Sequence, residues 1–160
     1  MDTAKIMEWL KKPDNRFYIV YTLLFLAMIG LSDVMNGVVG NNYAWFDVHF
    51  YWEHARDIMN GLAPYVDFDT AYPPFSFVIY LIPYFFVSSE TGFNYAFAIF
   101  TYLFTILAIN RMFAFCDKRD IDHQYVYITF LLLIIGVNNF FIARNDTITT
   151  VFAVLALILF

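Results

Sequence analysis

Apolar runs at 17–31, 75–87, 93–115 and 125–137 alternate with polar stretches, and a further run that begins after Thr147 is still apolar at Phe160. Such runs predict helices, because a backbone that leaves water must satisfy its own hydrogen bonds. The run 93–115 is long enough to cross a bilayer unaided. The run 17–31 follows Lys5, Lys11, Lys12 and Arg16 and predicts a first span. The run 75–87 is short and carries Pro83, which predicts an interfacial or re-entrant segment rather than a crossing. The run 125–137 is also short, and its span is expected to continue to about residue 141. Between the first two runs, 32–45 is rich in Gly and Asn and predicts an irregular connector. Residues 46–60 predict a helix on the membrane surface, with Phe46, Phe50, Ala55 and Met59 apolar and Glu53, Arg56, Asp57 and Asn60 wet. Gly61 fits its C-terminal stop, and Pro64, Pro73 and Pro74 keep the following chain extended.

Composition gives the class. The chain is 61% apolar, 22% aromatic and only 14% charged, whereas a soluble domain is nearer half apolar and a quarter charged. The expected fold is all-α: a polytopic transmembrane helical protein whose external loop contains juxtamembrane helices. A net charge of −5 excludes a basic nucleic-acid surface. The lone Cys116 excludes an intrachain disulfide, and no small-residue cleavage pattern follows the first run to make it a signal peptide. The final run, 147–160, is shorter than the about 20 residues a crossing needs. The expectation is therefore one transmembrane domain that is the front part of a longer protein.

Charge selects a topology. If 75–87 does not cross, Lys5, Lys11, Lys12, Arg16, Arg111, Lys118 and Arg119 lie on the cytoplasmic side, with only Arg56 and Arg144 outside. If it crosses, cations divide almost evenly. The first arrangement obeys the positive-inside bias. It makes 1–16 and 116–124 cytoplasmic and 32–92 and 142–147 external, with spans at 17–31, 93–115 and 125–141 and a further span starting at 148. The N-terminus and Cys116 then face the cytoplasm, and Thr70, Asp47 and Asp146 face outward. The expected location is multi-pass in a cell membrane, or in the endoplasmic reticulum of a eukaryote.

Ionisable and aromatic residues concentrate at 47–74, DVHFYWEHARDIMNGLAPYVDFDTAYPP. Asp47 begins the surface helix, as an N-cap or as a base at the membrane–water boundary. Tyr51 and His54 share its helical face. Arg144 is either a snorkelling interfacial cation or a partner for phosphate. Asp146 can orient Arg144, hold a substrate or cap the last helix. His49, Glu53 and His54 do not converge as metal ligands, so no zinc is expected. The triplet Asn145-Asp146-Thr147 matches a glycosylation site but abuts a membrane helix. Asp117 to Asp122 reads as a solvated turn.

The order D-x-x-x-Y (Asp47, Tyr51), G-x-x-P-Y-x-D (Gly61, Pro64, Tyr65, Asp67) and Y-P-P (Tyr72, Pro73, Pro74) ahead of an apolar run resembles the first external loop of the C-type membrane glycosyltransferases. The likeness is nearest to the polyprenyl-phosphate-sugar-dependent hexosyltransferases, often mannosyltransferases. Arg144-Asn145-Asp146 before an apolar helix is similar to their second acidic motif. The resemblance implies a hexose moved from a polyprenyl-phosphate donor to a glycan, lipid or protein acceptor on the extracytoplasmic side. It implies Asp47 and Asp146 as catalytic acids, with Arg144 at the departing phosphate and Tyr51, Tyr65, Asp67 and Tyr72 against the substrate. The second motif is not a strict D-x-D, and no divalent metal or other cofactor is expected. The alternative is a transporter or flippase-like component. That reading asks for acids facing each other across spans, whereas here they lie in loops on one side.

Overall fold

The computed structural model describes residues 3–40, 43–137 and 144–159. Among these the chain is all-helical: α1 (Thr3–Lys11), α2 (Pro13–Val39), a 3-10 turn (Tyr43–Trp45), α3 (Phe46–Met59), α4 (Pro74–Tyr84), α5 (Glu90–Arg119), α6 (Gln124–Val137) and α7 (Asn145–Leu159). The part of the predicted third span from 138 to 141 lies outside the described residues. Two helices, α2 with 27 residues and α5 with 30, are long and apolar enough to cross a membrane by length and composition.

Local chemistry sets the boundaries. Pro13 at the start of α2 has no N–H to leave unsatisfied. The helix does not stop at Leu31 as hydropathy predicts but continues to Val39, where Gly40 at φ 76° ends it. The expected irregular connector over 32–45 is therefore corrected. Ser32 turns its hydroxyl back onto the Met28 carbonyl at 2.9 Å, so polar residues continue the helix rather than break it. In α5, Ser89 Oγ accepts from the Gly92 N–H at 3.2 Å, Glu90 opens the first turn, and Lys118 and Arg119 close the last. Each charge opposes the helix dipole at its end. Asp120 ends α5 in the left-handed region at φ 54°.

Helix α5 is the axis. Helix α7 packs along it, α3 and α4 pack on each other and against its N-terminal half, α2 runs beside it from Tyr95 to Phe113, and α6 packs on α2 and α5. The buried stripe of α2 is Phe17, Tyr21 and Phe25, spaced by four, facing Tyr102, Phe113, Tyr127 and Phe130. Helix α3 stops ahead of Gly61 as expected, since that residue sits at φ 89° just past its end. Of its expected apolar side, Ala55 packs into the protein. Val48, Tyr51 and Ala55 go inward, while Phe46 and Met59 are exposed. Val48, Tyr51 and Ala55 recur at helical spacing, and the large rings on α4 and α5 are met along that line.

The turn between α5 and α6 is not merely solvated. His123 stacks on Phe113 at 4.6 Å and sits 3.1 Å from Asp14 of α2 and 3.1 Å from Asp117 of α5. Asp14 also accepts from the Tyr127 hydroxyl. Partial burial lowers the basicity of His123, but the two carboxylates outweigh it and hold its pKa above the ordinary 6.5. A raised folded-state value means stabilisation that is complete below the unfolded pKa and lost as pH rises through the folded one. Melting temperature should therefore fall as pH is raised from 6 towards 8. His123→Asn should flatten that slope. Equal slopes for the two chains would show that His123 contributes no linkage.

Candidate functional site

Three charged side chains from distant parts of the chain meet. Arg144 Nε lies 3.3 Å from Asp47 Oδ2 in α3 and 3.3 Å from Asp146 Oδ2 in α7. The two carboxylates therefore lie within about twice that distance of each other. Asp47 is not an N-cap; Trp45 holds that position, and Asp47 stands in the first turn of α3. Exposure is graded, with Asp47 26%, Arg144 36% and Asp146 78% accessible. A pair this exposed adds little to stability. What it fixes is position: a cation between two carboxylates at a mouth open to water.

The residue that holds this arrangement is Asn145, which sequence reasoning passed over. It is 6% exposed. Its side-chain amide donates to the Tyr80 hydroxyl at 2.7 Å and to Ser76 Oγ at 3.3 Å, and its backbone N–H donates to the Tyr51 hydroxyl at 3.3 Å. Arg144 and Asp146 flank it, so the buried amide sets both. The glycosylation triplet is thus closed to modification at its asparagine. The available signal was the spacing of Ser76 and Tyr80, two hydroxyls on one face of an otherwise apolar helix.

The predicted substrate-contact residues divide. Tyr51 is 2% exposed and stacks on Tyr80 at 4.3 Å with Phe97 at 5.1 Å. Burial raises its pKa far beyond the phenol range, against the opposing bond from Asn145. Its faces are occupied by protein rings, so its position is that of a scaffold. Tyr72 lies edge-on to Tyr51 at 5.4 Å. Burial raises its pKa first, and the charges of Asp47 and Asp146 add to this while Tyr51 and Arg144 oppose it. Its phenol therefore sits within electrostatic reach of the triad. Tyr65 stands at φ 66° and is exposed, and its hydroxyl donates to the Tyr72 carbonyl. A tyrosine in the left-handed region is strained, and here the strain accompanies a contact that fixes Tyr72. Asp67 accepts from the Ala63 N–H at 2.7 Å and closes the turn. His54, its pKa lowered by burial against the pull of Asp57 and Glu53, bonds Thr70 at 3.0 Å. His49 sits between Glu90 at 2.7 Å and Glu53 at 3.5 Å through its two ring nitrogens, which point away from any common ligand.

Below the triad opens a cavity of about 460 Å³, within the range of small-molecule sites. Its walls are Thr105, Ala108 and Met112 of α5, Phe130 and Leu133 of α6, and Thr150 and Val154 of α7. Arg144 and Asp146 line it as well. Thr105 and Met112 are about two helical turns apart, so it runs roughly 10 Å along the bundle. Its walls are apolar apart from threonine hydroxyls and the charged residues. The arrangement can hold a molecule with a greasy part and an anionic end. No protein-family model, curated protein or solved structure matches this chain.

Proposed function

We propose that this chain is a membrane glycosyltransferase component that takes a hexose from a polyprenyl-phosphate donor at the outer membrane boundary. The observation that carries the reading is the junction of an apolar cavity with the Asp47–Arg144–Asp146 triad. A lipid tail fits the first, and a phosphate and a reacting sugar fit the second. A guanidinium matches phosphate geometry. A carboxylate beside it can take the acceptor hydroxyl proton and stabilise oxocarbenium-like charge. In this reading Asp47 is the base, Arg144 meets the departing phosphate, Asp146 steadies Arg144 from the wet side, and Tyr72 contacts the sugar or phosphate.

Membrane insertion is supported by the faces of the long helices. Leu23 and Leu26 of α2, Ile99 and Leu103 of α5 and Leu132 of α6 are all more than half exposed. A water-soluble bundle would bury such a set. Geometry supports the expected topology too. Helix α4 has 11 residues, a rise of roughly 16 Å, about half the hydrocarbon thickness. Asp47 and Asp146 share one arginine, so the chain between them crosses an even number of times, which suits crossings by α5 and α6 without α4. Helix α5, at roughly 45 Å, outreaches the layer, and α3, which carries Asp47, packs on its N-terminal half through Tyr51 and Trp52 against Phe97 and Phe93.

The test is transfer from a radiolabelled polyprenyl-phosphate hexose by the chain reconstituted in vesicles. The diagnostic variant is Thr150→Trp, since Thr150 is an exposed cavity residue outside the triad. It should raise KM for the long-chain donor about tenfold while sparing a short-chain analogue. Equal effects on both donors would remove the cavity from the donor site, and no transfer by the wild-type chain to any acceptor would remove the reading.

A further inference from the structure

Helix α1 has a surface that the site does not use. At 100° per residue, Ile6, Met7, Trp9 and Leu10 fall within an arc of roughly 160°, and Lys5, Glu8 and Lys11 occupy the rest. Met7 is 56% exposed and Trp9 46%. The next cations, Lys12 and Arg16, are exposed as well. The joint to α2 is fastened. The Asn15 side-chain amide donates to the Trp9 carbonyl at 2.8 Å, and the Lys12 N–H donates to the same oxygen at 3.3 Å. An amphipathic helix with an indole on its apolar side and lysines on the other side suits the headgroup layer.

We infer that α1 lies in the cytoplasmic headgroup layer of the membrane that α2 enters, and that its partner is an anionic phospholipid surface. Two observations select that occupant. The apolar face is continuous in sequence with the first span, so it is held at the bilayer. The cations Lys5, Lys11, Lys12 and Arg16 surround it, opposed within α1 and the turn only by Glu8 and by Asp14, which is already engaged by His123 and Tyr127. Each such cation near an anionic leaflet favours the bound state by about fivefold. The helix would thereby fix the level at which α2 enters the membrane. This rests on the membrane reading of α2.

Single nitroxide labels in the full chain test both levels separately, since the native Cys116 is buried. Labels go on Met7→Cys (apolar face), Glu8→Cys (polar face) and Leu23→Cys (the exposed face of α2). The probes are vesicles of phosphatidylcholine with and without phosphatidylglycerol. The measurement is collision with oxygen against collision with a water-soluble nickel chelate. With phosphatidylglycerol, Met7 should favour oxygen several-fold over Glu8. That contrast should fall in pure phosphatidylcholine and in a Lys5, Lys11, Lys12 to Gln variant. A water-exposed Met7 with a lipid-exposed Leu23 overturns the inference alone. A contrast indifferent to phosphatidylglycerol overturns the anionic partner. A water-exposed Leu23 overturns the membrane reading of α2 and the inference with it.

Discussion

Asp47→Asn is expected to lower transfer from the lipid-phosphate donor by about a hundred- to ten-thousand-fold, the range a positioned general base contributes. The substitution keeps size and polarity, so α3, held by Val48, Tyr51 and Ala55, has no packing reason to move. What disappears is the charge beside Arg144 and the capacity to accept a proton. One of the two carboxylates held against Arg144 would lose its charge, so the guanidinium would meet less competition for a phosphate. The loss should therefore fall on kcat, with KM for the donor unchanged or lowered. An interaction made only in the transition state gives that split. A rise in KM at constant kcat would instead make Asp47 a binding residue. Activity within a few-fold of wild type, with a normal melting profile, would remove the base and return weight to a flippase-like component.

Hydropathy located the long helices but not their ends. Residues 17–31 and 93–115 fall inside α2 and α5 because burial from water dominates there. The tail of α2 was illegible because Asn36 and Gly37 look like loop residues. Tertiary contact overrides that propensity, since Asn36 Oδ1 accepts from the Ala44 N–H at 2.8 Å and Asp33 receives Trp45 Nε1–H and the Tyr95 hydroxyl. At the site, Asp47, Arg144 and Asp146 were visible as charges beside apolar runs. Their meeting followed only from the charge-derived topology and the family resemblance, because nothing local brings α3 to the start of α7. Tyr51 shows the same limit from the other side. Its residue type and spacing fit sugar contact, yet its ring is spent on Tyr80 and Phe97. Helix α1 was illegible in hydropathy because Lys5, Glu8 and Lys11 interrupt the arc of Ile6, Met7, Trp9 and Leu10.

Asn145→Leu should be the most destabilising change near the site. Leucine fills a similar volume, so no large cavity opens, but it leaves the Tyr80 and Ser76 hydroxyls without their donor. A buried polar group stripped of its partner costs about 1–3 kcal/mol, so the pair together cost at most about 6 kcal/mol, less what the Tyr80–Ser76 bond retains. The backbone bond to Tyr51 survives, which keeps α7 docked. Activity should fall further than stability explains, because Arg144 and Asp146 sit on either side of the altered residue and a displacement of about 1 Å is costly in a positioned site. A double-mutant cycle separates the bond from the packing. Tyr80→Phe alone leaves the Asn145 amide short of an acceptor and should destabilise, whereas in the Asn145→Leu background it removes a hydroxyl left with only Ser76 and should cost less. The expected coupling is about 1–3 kcal/mol. Additive effects in unfolding, or full transfer activity in Asn145→Leu, would mean that the triad is positioned by something other than this buried amide.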